Sequence, residues 1–313
     1  MKKLKIVIVI IVISFIVVGF TAKTLFTKTI KINANFTKVI EEINKPEIIK
    51  KWFSPFVGLD SSVVKIKDSI ITTTNNGVLE INQKSYIDYL YKYSANNFNK
   101  KLLVSASADT NVNYTNVTFS YDATLFDKFL GYTKATKLIN ASIANLQKLN
   151  TDTKLFYGYE INEEPVTDTT FIFSKQVVAA SNVTKGLKLL FEKIDYFSTA
   201  INAQKTDARI FYVNTINKDS IELMAALGIS NTSIQEKITG DFILKRMPYQ
   251  KNLVVATYKG TFNNIVAAQD AVVNYTKDNG LTKLAIPFTK LITAGYSFDS
   301  NQIIQAKVCM PIF

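Results

Sequence analysis

The chain contains no histidine, which excludes a Ser-His-Asp triad, an imidazole general base and a histidine metal site. Cys309 is the single cysteine, so no disulfide can close within the chain and no thiolate cluster can hold a metal. It lies in an alternating apolar stretch, where cysteine acts as a small buried hydrophobe. Arginine is almost as scarce: Arg209 and Arg246 stand alone, and the other 35 of the 37 basic residues are lysine. Arginine is the side chain that grips phosphates and guanine edges with two parallel bonds. A net charge of +12 carried by scattered lysines therefore argues against nucleic acid as a partner and for a solvated basic surface. Any catalysis would have to run on carboxylates, tyrosine or lysine. The expectation is a non-catalytic protein with no cofactor and no metal site.

What is present suffices for packed cores. Of the 313 residues 47% are hydrophobic, with 21 Phe and 15 Tyr, enough for about two domains of ordinary size. Met1-Lys-Lys-Leu-Lys5 precedes an apolar run over 6–20, broken only by Ser14 and Gly19. As a helix, residues 4–22 would span about 28 Å, close to the ~30 Å hydrocarbon core of a bilayer. A cleaved signal peptide shares the basic start and apolar run, but Phe20 falls where cleavage wants a small residue. Residues 1–24 are thus expected to be an uncleaved single-pass anchor, in contact with the lipid bilayer through 4–22. Lys2, Lys3 and Lys5 favour a cytoplasmic N-terminus, with the domains that follow outside the cytoplasmic membrane.

Residues 28–33 alternate as a strand, with Ile30 and Ile32 on one face. Phe36, Val39, Ile40 and Ile43 have helical spacing, and Pro46 opens a second short helix ending at Trp52. Strand-like runs follow at 63–67, 70–74, 78–81, 87–93, 102–106 and 112–121, with Asn75-Asn76-Gly77 as a hairpin turn. A longer helix over 132–150 places Ala135, Leu138, Ile139, Ser142, Leu146 and Leu149 on one face. In the run 87–93, Tyr89, Tyr91 and Tyr93 share a strand face, as cavity lining or as plain core. Trp52 reads as a structural plug. The polar, acidic stretch 151–170 reads as a linker.

From there the sequence repeats itself at an offset near 80 residues. Strand 171–181, helix 183–204 and strands 208–216 and 221–229 form one copy. Strand 252–258, helix 263–277 and strands 288–296 and 302–311 form the other, with Asn279-Gly280 stopping the helix and Asp299-Ser300-Asn301 turning the hairpin. Alternation and the symmetry of the repeat select Tyr212, Tyr258, Phe288, Thr289 and Leu291 as candidate cleft residues, although each also fits a core position.

The opening from Lys28-Thr-Ile-Lys-Ile-Asn33 through Pro46 to Lys51-Trp-Phe53, with its strand, two helices, strands and long helix, resembles the SRPBCC (START-like) superfamily. That resemblance implies a helix-grip fold over 28–150 and a hydrophobic cavity between sheet and long helix. Residues 165–313 resemble GyrI-like effector-binding domains, most closely in Val254-Val-Ala-Thr-Tyr-Lys-Gly-Thr-Phe262, Asn279-Gly-Leu281, Pro287-Phe288 and Val308-Cys-Met-Pro-Ile312. This implies a duplicated strand-helix-strand-strand domain that binds bulky, often cationic or amphipathic small molecules in an aromatic cleft. Many such domains carry Glu and then Tyr just after the aromatic residue at Phe288; here Thr289 and Leu291 stand instead. The counter-charge for a cationic ligand is then missing, and so is an acid for the hydrolytic members' chemistry. No helix-turn-helix pattern is present.

The expected class is α+β, and the expected function is a membrane-anchored binding protein for hydrophobic or amphipathic small molecules. Three alternatives stay open: an enzyme using a cleft carboxylate such as Glu222, a structural envelope protein with collapsed pockets, and a lipid-handling protein.

Overall fold

The computed structural model describes residues 13–14, 17, 19, 21, 23–60, 62–74, 77–96, 98–124, 134–231, 234–248, 252–292 and 303–313. The chain is α+β, with two antiparallel sheets and six α-helices among the described residues. It divides into two units, Met1–Asp152 and Thr153–Phe313. Among the described residues no helix is long and apolar enough to cross a membrane. The segment 4–22 expected to do so lies largely outside them, as do the turns expected at 75–76 and 299–301.

In the first unit β1 (Lys23–Ile32) leads into α1 (Phe36–Asn44) and α2 (Pro46–Trp52). The side chain of Asn35 accepts the backbone N–H of Lys38 and caps α1, and Pro46 starts α2 where its missing N–H costs nothing. Then come β2 (Val64–Lys67), β3 (Ile70–Thr73), β4 (Val78–Gln83), β5 (Asp88–Ala95), β6 (Phe98–Ala108), β7 (Thr115–Thr124) and α3 (Lys134–Thr151). The sheet order is β1-β7-β6-β5-β4-β3-β2: from β2 to β7 each strand pairs with its successor, and β1 forms the far edge against β7. Ile139, Ile143, Leu146 and Leu149 form the buried stripe of α3.

The second unit holds α4 (Thr153–Tyr157), β8 (Ile161–Pro165), β9 (Thr170–Ala179), α5 (Val183–Ala200), β10 (Lys205–Thr215), β11 (Ser220–Ile229) and β12 (Ile243–Arg246). It continues through β13 (Asn252–Thr261), α6 (Ile265–Asp278), β14 (Phe288–Leu291) and β15 (Ile303–Pro311). The sheet order, β12-β9-β11-β10-β14-β15-β13-β8, is the repeat made visible, since the second half mirrors the first. The edge strands are exchanged. β8, which precedes the first copy, pairs with β13 of the second, and β12, which precedes the second copy, pairs with β9 of the first. The stretch 151–170, expected as a linker, is therefore mostly structured. Residues 153–157 form α4, and the acidic Ile161–Pro165 forms an edge strand, because the exposed edge of β13 supplies its backbone partners.

Helices α5 and α6 bury Leu187, Leu190, Phe191 and Ile194, and Ile265, Ala268, Ala271 and Val272, in one apolar core against the sheet. Each such Leu, Ile or Phe contributes about 1.5–3 kcal/mol of burial. α6 ends as expected at Gly280, whose φ of +65° suits glycine. Leu281 N–H reaches back to Thr276 O at 2.9 Å and Gly280 N–H to Lys277 O at 3.1 Å, the Schellman closure.

Candidate functional site

The two units use their interiors differently. In the first, among the described residues, aromatic rings pack the interior where the resemblance implies a cavity. Trp52, Phe53, Phe56, Tyr91 and Phe119 are buried in edge-on and tilted ring contacts, and a void of about 10 Å³ lies beside Phe53, Tyr91 and Tyr93. Trp52 donates its indole N–H to Glu42 O at 2.9 Å, and Tyr91 its hydroxyl to Ile43 O at 2.6 Å. Burial raises the Tyr91 phenol well above its ordinary pKa. Tyr89 is also buried and donates to Tyr86 O at 3.0 Å. Tyr93 borders the void and packs edge-on against Phe53 and Phe56. The three tyrosines share a face as the alternation predicts, and aromatic rings pack against Tyr91 and Tyr93.

In the second unit the sheet face opposite α5 and α6 carries a pocket of about 780 Å³. Strand register decides which side chains reach it. One row across the open face runs Phe173, Ala226, Ile210, Lys290, Lys307 and Thr257. The adjacent row runs Ser174, Ala225, Phe211, Thr289, Val308 and Ala256, and its apolar members lie in the helix-side core. A shift of one residue along a strand is a change of face, and the candidates divide on that basis. Phe288 and Tyr212 line the pocket. Thr289 is wholly buried in the helix-side row, and its Oγ1 has no hydrogen-bond partner. Leu291 and Tyr258 belong to the same helix-side core, and the Tyr258 hydroxyl donates to the backbone of Thr261. These three are core residues, not cleft residues.

The pocket floor comes from residues the sequence did not single out: Phe171, Ala226, Ile210, Met247 and Leu253. Ile243, Leu284 and Ile286 stand at its lip, each about half exposed. An arm of about 260 Å³ shares Phe171, Ile210, Met247 and Phe288 with it and is lined further along by Asp168, Glu164, Lys290, Lys307 and Cys309. There Lys290 is ion-paired with Asp168, and Lys307 with Glu164 at 2.7 Å. Burial pushes the Cys309 thiol up to about 12, which makes it inert as a nucleophile. Glu222, the carboxylate considered for catalysis, accepts a 2.7 Å bond from Lys175 that holds it below the usual carboxylate range. That shift is opposite to what a general base near neutral pH requires. Apolar walls with a few polar groups at the ends suit binding and orientation of an amphipathic molecule.

The chain matches no family model and no curated relative. Its fold is similar to several solved structures. The EcmrR C-terminal domain is 14% identical, with 50% of this chain and 98% of that one covered and a TM-score of 0.38. A hydrolase from Listeria innocua is 8% identical, with 50% and 92% covered and a TM-score of 0.35. A START superfamily protein from Mycobacterium smegmatis is 9% identical, with 41% and 97% covered and a TM-score of 0.29.

Proposed function

We propose that the chain is a membrane-attached binding protein that holds a hydrophobic or amphipathic small molecule on the open sheet face of its second unit, without chemistry of its own. One observation carries this reading: an apolar pocket of about 780 Å³, within the ~300–1,000 Å³ range of small-molecule sites. A collapsed, purely structural descendant would have filled that space, as aromatic rings pack the described interior of the first unit. The first unit is read as an SRPBCC-like helix grip, supported by its element order and by the return of β1 against β7. The second is read as GyrI-like, supported by the mirrored strand order of its two halves. Membrane attachment rests on the composition of residues 4–22.

An uncharged long-chain alcohol bearing a diazirine tests the reading on the full chain. Photolabel is expected on peptides carrying Phe171, Met247 and Phe288. Ala226→Trp, which places an indole on the pocket floor, should abolish it. Label that is unchanged in the variant, or that falls elsewhere, would overturn the reading. Alkaline carbonate washing should leave the full chain with the membrane pellet, and its release would remove membrane attachment from the proposal.

A further inference from the structure

The pocket is apolar along its floor, but its charged lining has one sign. Lys175, Lys245 and Arg246 line it, and among the described residues no carboxylate does. Lys175 is matched by Glu222 at 2.7 Å. Lys245 has no carboxylate within ion-pairing distance among the described residues; its Nζ lies 5.5 Å from the centre of the Phe173 ring. Arg246, one residue on, pairs with Thr170 in the helix-side row and donates from its guanidinium to Gln235 Oε1 at 3.2 Å, so its charge is directed away from the open face. The smaller arm differs, since each of its lysines is paired with an acid. Among the described lining residues on the open face, unmatched positive charge thus lies at Lys245, at the end of the pocket formed by β9 and β12. There Lys175 lies two residues beyond Phe173 on the same strand face, and Lys245 reaches the ring from the edge strand.

We infer that the pocket selects anionic amphiphiles, molecules with an apolar body and a carboxylate, sulfate or phosphate head. The head sits beside Phe173 within reach of Lys175 and Lys245. The body lies over Phe171, Ile210, Met247 and Phe288. A cationic head would meet the unmatched charge of Lys245, with no acid among the described lining residues to receive it, and like charges repel. An anionic head forms the charge-assisted bonds that this end lacks. This inference rests on the binding reading above and adds the sign of the ligand's charge.

The test uses the full chain in nanodiscs of uncharged phosphatidylcholine and three diazirine probes of equal chain length: an alkanoate, an alkanol and an alkyltrimethylammonium. Pocket peptides should be labelled in that order, the alkanoate exceeding the ammonium by roughly tenfold, as expected for one charge-assisted contact. Lys245→Gln should remove the alkanoate's advantage over the alkanol, and Lys245→Glu should favour the ammonium; labelling by the alkanol should change in neither variant. Equal labelling by alkanoate and alkanol in the unaltered protein would overturn the charge selectivity and leave the pocket reading standing. Failure of the alkanol as well would overturn both. Protection by phosphatidylglycerol vesicles assigns the head to a membrane phospholipid, and protection by free alkanoate alone assigns it to a free acid.

Discussion

Lys290 and Lys307 lie directly opposite one another on β14 and β15, and each is held by its own carboxylate, Asp168 and Glu164. Like charges at facing strand positions destabilise a sheet. Here both acids come from β8 and the residues just after it, the segment that runs from the edge of the second repeat into the first. Glu164→Gln should lower stability in chemical denaturation by about 1 kcal/mol, the upper range for partly exposed pairs. Adding Lys307→Gln should restore most of that loss. A double-mutant cycle with no coupling between the two positions would refute the compensation.

Thr289 tests the assignment of faces. Its buried hydroxyl has no partner, and an unsatisfied buried polar group costs about 1–3 kcal/mol. Thr289→Val keeps the shape and removes the hydroxyl, so the midpoint of denaturation should rise by the equivalent of about 1 kcal/mol. Probe labelling in the pocket should not change. If the variant loses binding, Thr289 reaches the ligand and the placement is wrong.

In the first unit the hydroxyl of Tyr91 contributes to stability, since it donates to Ile43 O at 2.6 Å in a fully buried setting. Tyr91→Phe leaves that carbonyl without its donor and should cost about 1–2 kcal/mol, measured as a lower thermal midpoint. Ligand labelling should be unaffected, because the space beside Tyr91 amounts to about 10 Å³.

Cys309 gives a pH signature. Its thiol is pushed up to about 12 by burial, whereas an unfolded cysteine ionises near 8.5. Between those values the unfolded chain binds fewer protons than the folded one, so this group's contribution to stability falls as pH rises from about 8.5 towards 12. At pH 8 iodoacetamide should label Cys309 slowly in the folded protein and rapidly in urea. Fast labelling of the folded protein would mean that the thiol is accessible through the smaller arm.

The order of elements was legible because it follows from local chemistry. Helical spacing at Phe36, Val39, Ile40 and Ile43 with Pro46 behind them marked α1 and α2, and the Asn279-Gly280 stop marked the end of α6. The duplication was legible too, since two hairpins of matching pattern imply two matching units. The edge strands β8 and β12 were not. Each is four or five residues long with at least half its residues polar, and each owes its conformation to a partner strand 70 or more residues away in sequence.

The site was half legible for a related reason. A strand covered on both faces carries apolar residues at both parities, as Thr170-Phe-Ile-Phe-Ser174 does, so alternation cannot tell the helix side from the open side. Register supplied the missing choice: pairing Phe288 with Cys309 and Thr289 with Val308 sends the first to the pocket and the second to the core. The sequence by itself determined which chemistry is absent, that two α+β units form, and that the second is a repeat. Only tertiary pairing decided that aromatic rings pack the described interior of the first unit, that the sheet face of the second carries an open pocket, and that lysines from β9 and β12 converge beside Phe173. Those outcomes depend on which strands meet and in which register, and that is a property of the assembled sheet.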